Sequence, residues 1–237
     1  MLIVMQNNAA QKLIDAVCAR IEALGFEPHS MPGAQRTAIC ITGNDGSVSK
    51  RHFADLHGIR EIIQVSKPYK LTSNETQSTP TTVTVGSTNI GPGSFQIIAG
   101  PLHIESRDTA MRIAKALHEK GVTLFRANTH RPRMNPYSNM LSFDEGLTIL
   151  SEIKAVTGMA VATDVEAASE VAQASGVADL LIVETHNMRH VNLLRALGKA
   201  NVPVLLKRSS SATLQEFLMA AEYIMSGGNR QVILCDG

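Results

Sequence analysis

Six apolar stretches of this sequence run into residues that can do chemistry: AGPLHIE, FRANTHRPRMNP, ATDVE, VETHNMRH, LLKRSS and LCDG. They deliver the cations Arg126, Arg131, Arg133, Lys207 and Arg208. Gathered around one mouth, these suit a phosphate or a carboxylate. Planar guanidinium forks bind such oxygens in pairs, and an ammonium adds a compact charge. The plain alternative is that long basic side chains in loops are simply solvated. Their recurrence at strand ends favours the anion site. His103, His130, His186 and His190 fall at the same ends, beside Asp164, Glu184 and Asp236. Such residues ligate metals or carry protons. Loop histidines are common, however, and proximity to a strand end does not fix ligand geometry, so a metal site is the weaker expectation.

The elements that must position these residues follow from periodicity. LIVMQ reads as a strand. Leu13, Ile14, Val17, Ile21 and Leu24 repeat at helical spacing, and Gly25 follows as a stop. FEPHS and RTAICIT read as two further strands, residues 50–56 as a short helix, and IREIIQVS as a closing strand. That β-α-β-β-α-β order over residues 1–66 is the ferredoxin-like pattern. Residues 67–80, within KPYKLTSNETQSTPTT, read as a linker.

From residue 81 to 237 the rhythm changes. TVTVGSTNIGPGSF reads as a hairpin. Strands are then expected at QIIAG, GVTLFRA, MAVATD, DLLIVE, VPVLLKR and RQVILC, and helices at 107–120, 143–158, 166–176, 187–199 and 213–225. Near-continuous apolar strands alternating with helices predict a parallel sheet covered by helices. Such a series either closes as a (β/α)8 barrel or stays open and doubly wound, and in both the chemistry gathers at the C-terminal strand ends.

Bulk composition narrows the function classes. The 237 residues are 44% hydrophobic and 18% charged, enough to bury a sizeable core. Twenty-two Lys and Arg against 21 Asp and Glu create no global field, so neither nucleic acid nor an anionic membrane is an expected partner. The opening MLIVMQNNAA has no basic leader and too short an apolar run to span a bilayer, so the expected location is the cytoplasm. Cys18, Cys40 and Cys235 form no metal-binding spacing and read as buried thiols in a reducing compartment.

The segments IIAGP, FRANTHRPRMNPYS, PVLLKR, EFLMAAEYI and VILC, with KPYKL before them, resemble the 3-deoxy-D-arabino-heptulosonate 7-phosphate (DAHP) synthases. The resemblance is to the branch with a ferredoxin-like domain ahead of a TIM barrel. It implies condensation of phosphoenolpyruvate with erythrose 4-phosphate at a divalent metal, opening the shikimate route to aromatic amino acids. It also implies an N-terminal domain associated with feedback inhibition by an aromatic amino acid. A related sugar-acid synthase acting on arabinose 5-phosphate shares the barrel.

On that resemblance Arg126 falls on the arginine for the phosphoenolpyruvate phosphate and Lys207 on the phosphoenolpyruvate lysine. Pro132, Arg133 and Pro136 keep the skeleton of a KPRTSP-like aldose-phosphate loop, in which Arg131, Met134 and Asn135 replace lysine, threonine and serine. Glu184, Thr185, His186 and Asn187 stand where the family has Gly-Ala-Arg-Asn, which adds a carboxylate and lowers the expected phosphate affinity. The residue after Ala-Gly-Pro is a metal-ligating cysteine in metal-dependent relatives. Here it is Leu102, which has no lone pair to offer. The family's other ligands, a His, a Glu and an Asp, belong to later strands, whereas this sequence runs to LCDG on its sixth. No cofactor is therefore expected on this chain, although the family uses a divalent metal.

The expected fold is thus α/β: a ferredoxin-like domain followed by an incomplete TIM-type barrel of about six parallel strands, where a closed barrel takes about 250 residues. Open first and last strands need cover, from a homo-oligomer, a partner chain or the preceding hairpin, unless the sequence is a fragment or a decayed remnant. Three readings follow. The favoured one is a DAHP-synthase relative impaired alone and keeping at most phosphoenolpyruvate or phosphate binding. The others are a synthase completed by a partner chain and an altered enzyme on phosphorylated sugars or keto acids, with Glu184, His186 and Asp164 as acid and base.

Overall fold

The computed structural model describes residues 1–33, 36–43, 48–64, 68–73, 80–129 and 141–237. They divide into two compact units, Met1–Pro80 and Thr81–Gly237.

The first unit contains β1 (Leu2–Met5), α1 (Gln11–Ala23), β2 (Glu27–Pro32), β3 (Thr37–Thr42) and β4 (Ile59–Ile63). Its antiparallel sheet has the order β2-β3-β1-β4, the ferredoxin-like arrangement that the sequence predicts. Helical spacing puts Ile14, Val17 and Ile21 on the buried face of α1, against Ile3, Met5, Ile39 and Ile41 of the sheet. One expectation fails in detail. The second helix is only a 3₁₀ turn, Lys50–Phe53, because so short a stretch recovers too few hydrogen bonds to offset nucleating an α-helix. Arg20 on α1 pins this turn instead. Its guanidinium donates to both carboxylate oxygens of Asp55, at 3.1 and 2.8 Å, and to the His52 carbonyl at 2.7 Å.

The second unit opens with the hairpin β5 (Val83–Val85) and β6 (Thr88–Ile90). Six parallel strands follow: β7 (Ile98–Ala99), β8 (Leu124–Arg126), β9 (Ala160–Asp164), β10 (Leu180–Val183), β11 (Val204–Lys207) and β12 (Val232–Cys235). Their order in the sheet is their order in the sequence, β12-β11-β10-β9-β8-β7. A doubly wound sheet would reverse direction at a switch point, so the open alternative drops out and the sheet is an incomplete barrel. The connecting helices are α2 (Arg107–Glu119), α3 (Phe143–Thr157), α4 (Val171–Ser175), α5 (Val191–Gly198) and α6 (Leu214–Ser226). Both α4 and α5 start later than periodicity suggests, since 3₁₀ turns at Ala168–Glu170 and Thr185–Asn187 redirect the chain first.

Alternate residues of each strand serve two cores. Phe125, Val161, Leu181, Val183, Val204 and Leu206 pack under the helices. Leu124, Ala160, Ala162, Leu180, Ile182 and Leu205 face the other way and are covered by Val83 and Val85 of the hairpin. The alanines of β9 leave the room this requires, and a Cβ on Gly86 would already meet Ala160 at 2.8 Å. The hairpin therefore covers the inner face of the sheet and pairs only within itself among the described residues, rather than extending an edge of the sheet.

Two helices begin with reciprocal caps. The Ser142 hydroxyl accepts from the Glu145 N–H, and Glu145 Oε2 accepts from the Ser142 N–H at 2.7 Å; Thr213 and Glu216 repeat the pattern on α6. The backbone N–H bond, followed by the hydroxyl, holds each glutamate below its ordinary pKa, with Arg189 adding a smaller effect at Glu216. A depressed folded pKa gives stability that is complete above the unfolded value, about 4.3, and lost as pH falls through the folded one. Urea midpoints measured from neutral pH downward should therefore fall more steeply in acid for wild type than for Glu145→Gln or Glu216→Gln; parallel acid limbs would contradict the caps.

Candidate functional site

The C-terminal ends of β8, β10 and β11 converge on one carboxylate. Arg126 is the last residue of β8, Lys207 the last of β11, and Glu184 follows β10 directly. Lys207 Nζ donates to Glu184 Oε1 at 2.9 Å and to Oε2 at 3.0 Å. Arg126 Nη2 lies 3.5 Å from the same Oε1 and donates to Asn128 Oδ1 at 2.6 Å. Asn128 Nδ2 reaches Glu184 Oε1 at 3.4 Å. The side chains of Arg126, Glu184 and Lys207 retain 20%, 17% and 25% of their exposure, so the cluster is shielded but open on one side. Cations from two strands thus meet at one carboxylate oxygen of a third, a donor arrangement whose chemistry suits an anionic oxygen.

Close backbone packing holds Arg126 in place. Gly100 follows β7 at φ +153°, and a Cβ there would overlap the Arg126 carbonyl oxygen. Beyond the strands, the Asn128 N–H donates to the Leu102 carbonyl and the Ile104 N–H to the Asn128 carbonyl, both at 3.1 Å, prolonging the β7 to β8 pairing. Next to it, buried Asp164 accepts the Thr129 N–H at 2.9 Å.

Among the described residues, the other sequence candidates share no hydrogen bond or ion pair with Glu184, although His103 pairs with Asn128 through the backbone. Arg208 turns its guanidinium onto the Ala212 carbonyl at 3.0 Å and Asp236 at 2.8 Å. His186 faces Glu166 at 3.7 Å on the surface, His103 lies 3.6 Å from Glu105, and His190 is exposed. Arg131, Arg133 and His130, with the rest of the aldose-phosphate-like loop, lie outside the described residues. Asn128 was not among the candidates. Its signal was present in FRANTH, since residues two apart on an extended chain share a face.

The described residues here do not fit a divalent-metal centre. Leu102 is aliphatic and 56% exposed. Among the described residues no three His, Cys, Asp or Glu side chains group to hold an ion. No helix is long and apolar enough to cross a membrane, again among the described residues.

Residues 71–237 match the DAHP synthetase I family, and residues 1–67 match the DAHP synthase ferredoxin-like domain. The phospho-2-dehydro-3-deoxyheptonate aldolase of Thermotoga maritima is 35% identical over 236 residues, which span 100% of this chain and 70% of that protein. The 2-dehydro-3-deoxyphosphooctonate aldolase of Syntrophobacter fumaroxidans is 32% identical over 155 residues, 62% of this chain and 54% of the other. The crystal structure of the Thermotoga maritima DAHP synthase aligns with a TM-score of 0.69, covering 99% of this chain and 68% of that one. A truncated form of 3-deoxy-D-arabino-heptulosonate 7-phosphate synthase from the same organism aligns at 0.62 with 34% identity, covering 68% of this chain and 58% of that one.

The close approach of Gly100 to Arg126 is open to direct test. Gly100→Ala should cost roughly 1–3 kcal/mol, the usual range for forcing atoms into a packed position, read as a lower urea midpoint. An unchanged midpoint would show that the two strand ends have slack.

Proposed function

The chain belongs to the DAHP synthetase I family, and from that premise we propose that it binds phosphoenolpyruvate at Arg126 and Lys207 and does not carry out the condensation by itself. The convergence of Arg126 Nη2 and Lys207 Nζ on one oxygen position carries the reading. An ammonium supplies a point charge and a guanidinium directional donors, the combination that suits a phosphate or carboxylate oxygen. Partial burial of both cations limits screening by water and strengthens the contact. The names of the two relatives denote phosphorylated 2-dehydro-3-deoxy acids, which fits an anion site on this chain.

What supports impairment is Leu102. It stands where the resemblance places a ligating cysteine, and an aliphatic side chain neither holds a cation nor polarises a carbonyl. The chain's own residues at the mouth hold and orient an anion. None of the described strand-end groups is placed as a replacement donor set. The outer sides of β7 and β12 have no strand partner among the described residues, and edges of this kind are met by further strands or by another chain.

Calorimetry should detect phosphoenolpyruvate binding to the 237-residue chain, and Arg126→Ala should weaken it about tenfold or more, the loss expected for one charge-assisted phosphate contact. No binding by wild type, or unchanged affinity in the variant, would end the reading. In a separate assay with phosphoenolpyruvate and erythrose 4-phosphate, neither wild type nor Leu102→Cys should form DAHP, with or without a divalent metal. Product formation abolished by a chelator would overturn the impairment.

A further inference from the structure

The oxygen that Arg126 and Lys207 share is the protein's own. Glu184 Oε1 takes Lys207 Nζ at 2.9 Å, the Asn128 amide at 3.4 Å and Arg126 Nη2 at 3.5 Å. An ammonium, an amide and a guanidinium on one oxygen is the coordination that a ligand phosphate or carboxylate oxygen would take. One carboxylate against two cations leaves the cluster net positive. Arg126 Nε is also buried with no acceptor among the described residues, so the cations are not fully satisfied by Glu184. Its hold is therefore lopsided: two short bonds to Lys207 and one long contact to Arg126.

We propose that Glu184 is a built-in competitor, a tethered anion that fills the oxyanion position of this site, so that a phosphorylated ligand binds only by turning the carboxylate out. The proposal rests on the reading of Arg126 and Lys207 as the ligand's anion site. A tethered group acts at a high effective concentration, so it raises the ligand concentration needed for half-occupancy without closing the site. Glu184 thereby sets a threshold, and weakly charged anions are excluded more than dianions, which gain more from the two cations. A purely structural role would make a different prediction: removing Glu184 would leave two partly buried like charges without a neutralising partner, with loss of stability and no gain in binding.

The test uses the 237-residue chain as wild type, Glu184→Gln, Glu184→Ala and the double variant Glu184→Gln with Lys207→Met. Calorimetric titrations are run with phosphoenolpyruvate and, separately, with inorganic phosphate, after circular dichroism and thermal melting on each protein. Both single variants should bind phosphoenolpyruvate roughly tenfold more tightly than wild type, since loss of one tethered charge removes both competition and repulsion. The double variant should lose that gain. Wild-type binding with equal or weaker affinity in both single variants overturns the competitor role and leaves the anion-site reading standing. No binding of either anion by any of the proteins overturns both. Unfolding of both single variants assigns Glu184 a structural role and likewise overturns the proposal.

Discussion

Burial of both faces of one parallel sheet is the constraint on which the second unit depends. Its strands carry apolar side chains in both directions, and a parallel sheet left bare on either side would expose that surface to water. Five helices cover one face. The hairpin β5 and β6 covers the other, through Val83 and Val85 over the β9 alanines. With the central strands covered on both faces, the strand ends are where polar side chains can reach solvent, so Arg126, Asn128, Glu184 and Lys207 collect there.

That collection also reports on curvature. Arg126 ends β8 and Lys207 ends β11, with two strands between them in the sheet. Neighbouring strands lie about 4.8 Å apart, so flat strands would hold these residues well apart. Their meeting on Glu184 fits a sheet that curls about the strand ends, as a barrel wall does. Gly100 contributes at the start of the same wall, where the missing side chain lets β7 come close against the Arg126 carbonyl.

Much of this was legible in the sequence because it follows from periodicity. The apolar runs from LLIV to VILC mark strands, and the spacing of Ile14, Val17 and Ile21 marks a helix. Short elements were less legible. Residues 50–56 and 187–199 have helical composition, yet tight turns occupy part of each, since the local energy difference between a 3₁₀ turn and an α-turn is small and tertiary path decides it. Within the candidate site, Arg126 and Lys207 were visible as strand-end cations. The Glu184 bridge was not, because a side chain's partner across three strands depends on the curl. Arg208 shows the same limit from the other side: adjacent to Lys207 in sequence, it turns to Ala212 and Asp236.

The hairpin that seals the inner face has a further consequence, in time rather than in space. Val83 and Val85 precede every strand they cover, and their partners extend from Leu124 to Leu205. Contacts so distant in sequence carry a large loop-closure cost and form late. The hairpin can pair locally within microseconds, but its apolar side has no complete surface to dock on until β8 to β11 are assembled. Sealing of the inner face is therefore a closing event in folding, and until it occurs the inward side chains of four strands remain open to misassociation with other chains.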